Sequence, residues 1–237
     1  MILIIIPAYN EEKKIQSVVS SVVNLGYDVL VVNDGSADAT RNEAEKGGAR
    51  VVSHFINRGY GAALSTGHSY ALQKGYAIAA HFDADGQHNP GEIADIIKPI
   101  QQGAADAVIG SRFLESDANM RIHANDTNRE TMSNVPLVRK VLIKLATTFT
   151  WVISGIKLTD AHNGFRAFSR AALEKIVCKQ DGMSYASEVI DQIAEHGLRF
   201  IEVPNTITYT DYSRGKGESN VKKILIGIRF LWGKLVQ

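Results

Sequence analysis

The first 112 residues alternate short apolar runs with longer segments of mixed polarity, and no other feature constrains the fold as strongly. The apolar runs predict strands at Ile2–Ile6, Tyr27–Val32, Arg50–Ser53, Ala77–Phe82 and Ala107–Ile109. The intervening segments predict helices at Glu11–Leu25, Ala37–Lys46, Gly61–Lys74 and Pro90–Gln101, with Asp38 and Asn89 as caps. This alternation predicts an α/β fold in which helices flank a mostly parallel central sheet.

The alternation ends after Arg112, and Glu115–Pro136 is a polar stretch typical of a functional loop. Further helices are predicted at Leu137–Ile156, Arg170–Val177, Ala186–His196 and the end of the chain. Strands are predicted at Arg199–Val203 and Thr206–Thr210, while Thr159–Phe168 and Asp211–Asn220 are interpreted as irregular. The second half is therefore expected to elaborate the first, within a single domain of residues 1–237.

Composition excludes several classes of protein. The net charge of +1 gives no general attraction to nucleic acid. The single cysteine, Cys178, excludes an internal disulfide and argues for a reducing compartment. The apolar N-terminal run is too short for a targeting segment, and lysines and arginines interrupt both Leu137–Ile156 and Val221–Val236. No stretch reaches the roughly 20 apolar residues that span a bilayer.

Polar side chains follow four of the predicted strands. They lie in Pro7–Glu12, Asn33–Asp38, His54–Gly61 and Asp83–Asn89. Because parallel α/β sheets bind ligands at the carboxyl ends of their strands, we expect these four stretches to share one site.

Asp83 and Asp85 carry the strongest chemical signal among these stretches. Residues two apart point the same way in an extended chain, so both carboxylates can reach one site, with Gln87 next in line. Carboxylate and amide oxygens suit Mg²⁺ or Mn²⁺. The calcium-loop pattern is excluded, because Gly86 is the fourth residue of the stretch rather than the sixth. From these residues alone, a solvated turn is an equally good interpretation.

The other stretches suggest a nucleotide. Tyr9 is a candidate for stacking on a base, and Asp34 can accept hydrogen bonds from one; a helix entry and an Asx turn are the plainer alternatives. Asn57–Gly61 offers backbone for close approach to a ligand. It is not a dinucleotide-binding fingerprint, because Leu64 stands where the third glycine would be, and the chain has no phosphate-binding P-loop pattern.

Taken together, the motifs PAYNEE, NDGSADAT, DADGQH and GSRF, with the Asn57-x-Gly loop, resemble the family 2 glycosyltransferases of the GT-A fold. The similarity is strongest to the dolichol- or polyprenyl-phosphate sugar synthases. It extends through TDAHNGFRAF, Glu188 and SRGKGESN, and covers nearly the whole chain. The resemblance implies a nucleotide-sugar-binding half at residues 1–112 and an acceptor-side half at residues 113–237.

The resemblance also implies residue roles. The residues expected to bind the donor are Pro7, Ala8, Tyr9, Glu11, Val32, Asp34, Asp83, Ala84 and Asp85. Those expected to hold Mg²⁺ or Mn²⁺ are Asp83, Asp85 and Gln87. Basic residues expected to meet phosphates are Arg112, Arg166 and Lys216, for which surface salt bridges are the alternative. Asp85, Arg112, Glu188 and Lys216 are the catalytic candidates, whereas His81, His88 and Cys178 are interpreted as structural.

The expected reaction is an inverting, metal-dependent transfer of a sugar from a UDP- or GDP-linked donor to a polyprenyl or dolichyl phosphate. An ionised phosphate needs no general base, whereas a saccharide hydroxyl does, with Glu188 or Asp160 as candidates. The alternatives are a polysaccharide glycosyltransferase of the same fold and a non-catalytic nucleotide-sugar binding module. A nucleotidyltransferase is disfavoured because an early basic, glycine-rich loop is missing. We expect a cytoplasmic protein, with peripheral membrane contact and homo-oligomerisation left open.

Overall fold

A computed structural model describes residues 1–114, 155–161, 163–178, 180–182 and 185–208. Seven strands in this part of the chain are β1 (Ile2–Ala8), β2 (Asp28–Asn33), β3 (Arg50–Ser53), β4 (Ile78–His81), β5 (Ala107–Ser111), β6 (Arg166–Ser169) and β7 (Phe200–Pro204). The helices are α1 (Ile15–Val23), α2 (Thr40–Lys46), α3 (Tyr60–Gln73), α4 (Ile93–Gln101), α5 (Arg170–Lys175) and α6 (Tyr185–Glu195). A 3₁₀ turn at Pro90–Glu92 precedes α4, and the Asn89 side chain caps it by accepting from the Gly91 amide.

The strands form one sheet in the order β3-β2-β1-β4-β6-β5-β7. All neighbouring strands are parallel except for β6, which runs antiparallel to both β4 and β5. The predicted α/β architecture, a mostly parallel sheet with flanking helices, is therefore confirmed.

The central strands are apolar along their whole length because both faces of the sheet are covered. Leu3 and Ile5 of β1 point into a core shared with α3, α5 and α6. Ile4 and Ile6 point into a second core, shared with α1, α2 and α4. The alternation of side chains along a strand thus joins two helical layers through one sheet.

Two sequence predictions were wrong. Thr159–Phe168 was interpreted as irregular, yet its end enters β6, a short strand whose buried Arg166 hides the apolar pattern. Thr206–Thr210 was predicted as a strand, but within the described residues Ile207 forms only an isolated bridge with His88. Bonding to β4 and β5, rather than local apolar character, makes β6 a strand.

Several expectations fall outside the described residues. They concern the Glu115–Pro136 loop, all but the last two residues of Leu137–Ile156, the Asp211–Asn220 loop with Lys216, and the final helix. The division into donor and acceptor halves also stays a prediction. Within the described ranges, every helix is too short or too polar to cross a membrane.

Candidate active site

The loops that follow β1 and β2 are locked together by hydrogen bonds. The backbone amides of Asn10 and Glu11 donate to Ser36 Oγ at 3.0 Å and to Thr40 Oγ1 at 2.8 Å. In return, Asn10 Oδ1 accepts from the Ala37 amide at 2.9 Å. Asn10 adopts a left-handed φ of 54°, which asparagine tolerates better than most residues. These bonds fix the edge of the sheet from which Tyr9 projects.

Tyr9 and Asp34 lie at neighbouring strand ends, as the sequence predicted from their positions. The Asp34 amide donates to the Ala8 carbonyl at 2.9 Å, which joins the two loops directly. The Tyr9 side chain is about half exposed, whereas Asp34 is buried. An exposed aromatic ring on one loop and a buried carboxylate on the next are the residue types that the predicted nucleobase site requires.

Asp34 organises the loop that leads into α3. Its carboxylate accepts from His54 Nδ1 at 2.7 Å and from the amides of Arg58 and Gly59 at 2.9 Å and 2.7 Å. Gly35 allows the two loops to touch, since a Cβ there would lie 2.4 Å from the carbonyl carbon of Ile56. Sequence reasoning placed His54 in one of the four predicted stretches but gave it no role, because nothing local marks it as the partner of an acid 20 residues earlier.

Asp83 is held from both sides. Tyr60 Oη donates to Asp83 Oδ1 at 3.0 Å, and His88 Nε2 lies 3.0 Å from Asp83 Oδ2. Burial opposes ionisation of Asp83, but the hydrogen bonds from His88 and Tyr60 more than offset it and lower its pKa. A Cβ at Gly164 would approach Asp83 Oδ2 to 2.9 Å, so the backbone of the TDAHNGFRAF segment closes over this carboxylate.

Asp85 has a different environment. Oδ1 accepts from the Gln87 amide at 3.0 Å. Burial, the charge of Asp83 and, least, that of Glu11 raise the pKa of Asp85 to about 6, against the opposing effects of the Gln87 amide and His88. Two other predicted site residues, Asp83 and Glu11, thus act on Asp85. The local excess of negative charge favours a bound cation.

The residues fit a divalent metal ion of the predicted kind. Within the described ranges no group of three or more His, Cys, Asp and Glu side chains is arranged to hold a metal. Mg²⁺ sites commonly need only one or two carboxylates, because substrate phosphates complete the coordination. Asp85, with Asp83 beside it and the amide oxygen of Gln87 two residues on, supplies hard oxygen donors and uncompensated charge. The three metal-ligand assignments themselves stay predictions.

His88 is a site residue that the sequence interpretation left out. Its buried ring packs against Phe82 and Phe165, with ring centroids 5.5 Å and 5.1 Å away. Packing fixes the ring so that Nε2 meets Asp83. His88 thus orients a predicted ligand, a role that its place directly after DADGQ could have suggested.

The Arg112 side chain forms an ion pair with an acid. Its Nε and Nη2 atoms donate to the two oxygens of Asp160 at 2.7 Å and 2.9 Å, a bidentate pair. Burial of Asp160 is offset mainly by the hydrogen bonds and charge of Arg112, which lower the pKa of Asp160. An acid held ionised in this way is a poor general base. The predicted contact of Arg112 with phosphates remains a prediction.

Arg166 disagrees with the expected phosphate contact. Its side chain is almost fully buried in β6, and its nitrogens donate to the carbonyl oxygens of Ala161, Asn163 and Ala186 at 2.9–3.0 Å. These bonds tie the TDAHNGFRAF segment to the first turn of α6. The structure therefore gives Arg166 a structural role.

Three predicted donor residues, Ala8, Val32 and Ala84, have their side chains in the hydrophobic cores. Any contact of these residues with a donor would involve their backbone. Pro7 lies inside β1, in register with Val32, one residue short of the strand end.

Glu188 lies in the first turn of α6, where Oε2 accepts from the Gln180 amide at 3.0 Å. The neighbouring carbonyl of Asp181 accepts from the Gly61 amide at 2.8 Å, so this segment covers the start of α3. Burial, and secondarily Glu188, raises the pKa of Cys178 to about 12, which keeps the thiol unreactive. The structural interpretation of Cys178 fits this environment, while a catalytic role of Glu188 stays a prediction.

Comparisons with known proteins agree with the fold. Residues 3–177 match the family described as Glycosyl transferase family 2. The chain is 33% identical over 256 residues to a UDP-N-acetylglucosamine–dolichyl-phosphate N-acetylglucosaminyltransferase of Methanococcus voltae, covering all of this chain and 95% of that one. It is 30% identical over 245 residues to a polyprenol monophosphomannose synthase of Mycolicibacterium smegmatis, covering 98% and 86% of the two chains.

Solved structures share the fold at lower sequence identity. A glucosyl-3-phosphoglycerate synthase from Mycobacterium tuberculosis, crystallised with Mn²⁺ and UDP-glucose, superposes with a TM-score of 0.61 at 21% identity. The match covers 90% of this chain and 75% of that one. The same enzyme with Mg²⁺ and UDP gives a TM-score of 0.59 at 22% identity, covering 89% and 72%.

The ordered motifs, the GT-A sheet and the family match define a glycosyltransferase. The chain belongs to glycosyltransferase family 2, and its relatives include enzymes named for sugar transfer to dolichyl phosphate.

Proposed function

We propose that the protein transfers a sugar from a nucleotide-diphosphate sugar to a polyprenyl or dolichyl phosphate, with inversion and with a divalent metal ion. One observation carries the proposal. The carboxylates of Asp83 and Asp85 lie two residues apart in sequence, and Tyr60 and His88 hold that of Asp83 in place by hydrogen bonds. The acid pair follows β4, in the same sheet as the Tyr9 and Asp34 loops. A sugar nucleotide carries a diphosphate, which a metal ion at the acid pair would bind, and a base, which the Tyr9 and Asp34 loops would bind.

Each residue of the site has its own role in the proposed reaction. Tyr9 stacks on the base, and Asp34 accepts from it. Asp85 and Gln87 would hold Mg²⁺ or Mn²⁺, and the ion would supply positive charge opposite the leaving nucleoside diphosphate. Asp83, fixed by Tyr60 and His88, faces the ribose and diphosphate side of the donor.

A phosphate acceptor is supported over a saccharide hydroxyl. A phosphate monoester is mostly ionised at neutral pH, since its second pKa is about 6, and it can attack without a general base. Asp160, one of the two base candidates, is occupied by Arg112 and has a lowered pKa. The names of the relatives from Methanococcus voltae and Mycolicibacterium smegmatis point to the same acceptor class.

Such an acceptor lies in a membrane, so we propose that the protein works at the membrane surface. Arg112 is the basic residue of the described site that we assign to the acceptor or donor phosphates. On binding, the phosphate would compete with Asp160 for its guanidinium. Lys216 is proposed for the same task.

A donor and acceptor screen tests the proposal. UDP- and GDP-sugars are incubated with Mn²⁺ and a short polyprenyl phosphate, and both released nucleotide and glycolipid are measured. We expect acceptor-dependent release of nucleotide that stops when the metal is chelated. Transfer to a saccharide but not to the lipid phosphate would overturn the acceptor assignment. Full activity in excess chelator would overturn the metal assignment.

A further inference from the structure

We propose that Glu202 of β7 is a positioning residue for the substrate phosphate that Arg112 binds. The inference rests on the proposed function, because it takes Arg112 as a residue that meets a phosphate. It goes further by naming a residue outside the expected site that sets where the guanidinium of Arg112 lies.

The sheet brings Glu202 next to the end of β5. Strands β5 and β7 are parallel, with Glu202 in register with Ile109 and Pro204 in register with Ser111, the last residue of β5. Arg112 follows directly in the chain. The strand pairing therefore fixes the backbone that leads into Arg112 relative to Glu202.

The Glu202 carboxylate accepts hydrogen bonds from the start of the TDAHNGFRAF segment. Oε1 accepts from the Thr159 amide and from Thr159 Oγ1, both at 2.9 Å, and from the Asp160 amide at 3.2 Å. Oε2 accepts from the Thr159 amide at 3.0 Å. The Asp160 carboxylate in turn accepts from Nε, Nη2 and the amide of Arg112. One route of hydrogen bonds thus runs from Glu202 through Asp160 to the guanidinium of Arg112.

A second route reaches the residues on either side of Arg112. Thr159 Oγ1 lies 2.6 Å from Ser111 Oγ, which accepts from the Phe113 amide at 3.2 Å. Because an ionised carboxylate only accepts, the Thr159 hydroxyl donates its proton to Glu202 and accepts from the Ser111 hydroxyl. Glu202 therefore sets the direction of both hydroxyls, and the same carboxylate constrains both chain neighbours of Arg112.

The exposure of these groups favours a positioning role over a purely structural one. Thr159 is exposed and Glu202 is half-buried, so water can replace the partners that a substitution removes, and the loss of stability should be small. The side chains of Arg112 and Asp160 are only 16% and 2% exposed and form a bidentate pair. A displacement of this pair by about 1 Å is enough to slow a reaction up to about 100-fold, because the reacting groups must be held in register.

Steady-state kinetics of Glu202→Ala test the inference, with a short polyprenyl phosphate and the UDP- or GDP-sugar that the wild-type protein uses. We expect kcat/KM for the substrate that Arg112 binds to fall about tenfold. Glu202→Gln keeps an acceptor oxygen for Thr159 and should keep most of the activity. Glu195→Ala, at the exposed end of α6, is the matched control and should leave the kinetics unchanged. Unchanged kinetics in Glu202→Ala would overturn the inference.

The same kinetics distinguish the two sources of the phosphate. A raised KM for the polyprenyl phosphate, with unchanged calorimetric affinity for UDP or GDP in the presence of Mn²⁺, would assign Glu202 and Arg112 to the acceptor. A weakened nucleotide affinity with an unchanged KM for the lipid would assign them to the donor. Either result supports the inference.

A double-mutant cycle separates positioning from a structural role. If Glu202 acts through Arg112, Glu202→Ala should cost about tenfold in the wild-type background and almost nothing after Arg112→Gln. Equal losses in the two backgrounds would overturn the inference. Thermal melting checks that each variant folds, and Thr159→Val, which removes only the hydroxyl, decides by the same criterion if Glu202→Ala does not. Absence of transfer by the wild-type protein would instead overturn the proposed function, and the inference with it.

Discussion

Asp34 and Asp85 are the same residue type at the same edge of one sheet, yet the protein treats them oppositely. Three protein donors surround Asp34, which leaves a ligand little to add beyond one directed hydrogen bond. Asp85 meets one backbone amide and two neighbouring acids, and its pKa rises to about 6. The difference teaches that a carboxylate surrounded by hydrogen-bond donors is suited to discriminate between ligands. A carboxylate that lies near other acids is suited to hold a cation.

Removing the charge of Asp85 should have the largest effect on sugar transfer. Asp85→Asn keeps the shape of the side chain but abolishes the charge that holds the metal, so sugar transfer should fall at least about 100-fold. Initial rates of nucleotide release with saturating Mn²⁺ measure the effect. Asp28→Asn is the matched control, since Asp28 is exposed at the opposite end of β2 and should leave the rate unchanged. Near-normal transfer by Asp85→Asn would refute the assignment.

The buried pair His68 and His81 extends the comparison to groups that must stay neutral. Their Nε2 atoms are 2.7 Å apart, and burial lowers the pKa of His68 to about 4. Burial, His68 and Arg166 all lower the pKa of His81. Because unfolded histidine takes up a proton near pH 6.5, stability is unaffected above that pH and is lost as the pH falls from 6.5 toward 4.

The expected loss from His68 alone is about 3 kcal/mol, since each pKa unit corresponds to about 1.4 kcal/mol. Urea denaturation at a series of pH values measures it. His68→Gln should flatten this pH dependence, whereas His196→Gln, at an exposed histidine, should not. A free energy of unfolding that stays constant from pH 7 to pH 4 would contradict the account.

His88 sharpens the contrast because its hydrogen bond goes to Asp83, the first of the two acids after β4. His88→Leu removes the hydrogen bond to Asp83 Oδ2, and we expect Mn²⁺-dependent transfer to fall about 10- to 100-fold. His88→Gln keeps an N–H donor near the position of Nε2 and should recover part of the loss. The Mn²⁺ concentration at half-maximal rate is the diagnostic measurement. Equal values for the two variants would show that His88 contributes packing alone.

Substitutions at two glycines test how closely the loops around Asp34 are packed. Gly35 and Gly26 both have positive φ, 68° and 85°, but a Cβ meets backbone at 2.4 Å only at Gly35 and nothing within 4 Å at Gly26. Gly35→Ala should therefore destabilise the protein by about 1–3 kcal/mol more than Gly26→Ala does. Chemical denaturation measures both variants. Equal destabilisation would mean that the loops around Asp34 are loosely packed.

The sequence predicted the first five strands well because each is an apolar run that ends in turn-forming or polar residues. It missed β6, since a four-residue strand with Arg166 inside it has no apolar pattern to detect. The guanidinium of Arg166 is satisfied by carbonyls from separate segments, which only the folded chain brings together.

For the site, the sequence located the strand ends and the acid pair but not the partners that distinguish one acid from another. Asp83 is held by Tyr60, 23 residues earlier, and Asp34 by His54, 20 residues later. Local patterns say nothing about contacts at such separations. The same limit explains why Arg166 was expected at a phosphate and lies buried instead.

The central claim is that the acid pair after β4 holds a metal ion that binds the diphosphate of the donor. Calorimetric titration of the protein with UDP, once in the presence of Mn²⁺ and once with excess chelator, tests it most directly. The account predicts that Mn²⁺ tightens UDP binding by about tenfold or more in the wild-type protein and has no effect in Asp85→Asn. The same affinity with Mn²⁺ and with chelator in the wild-type protein would contradict it.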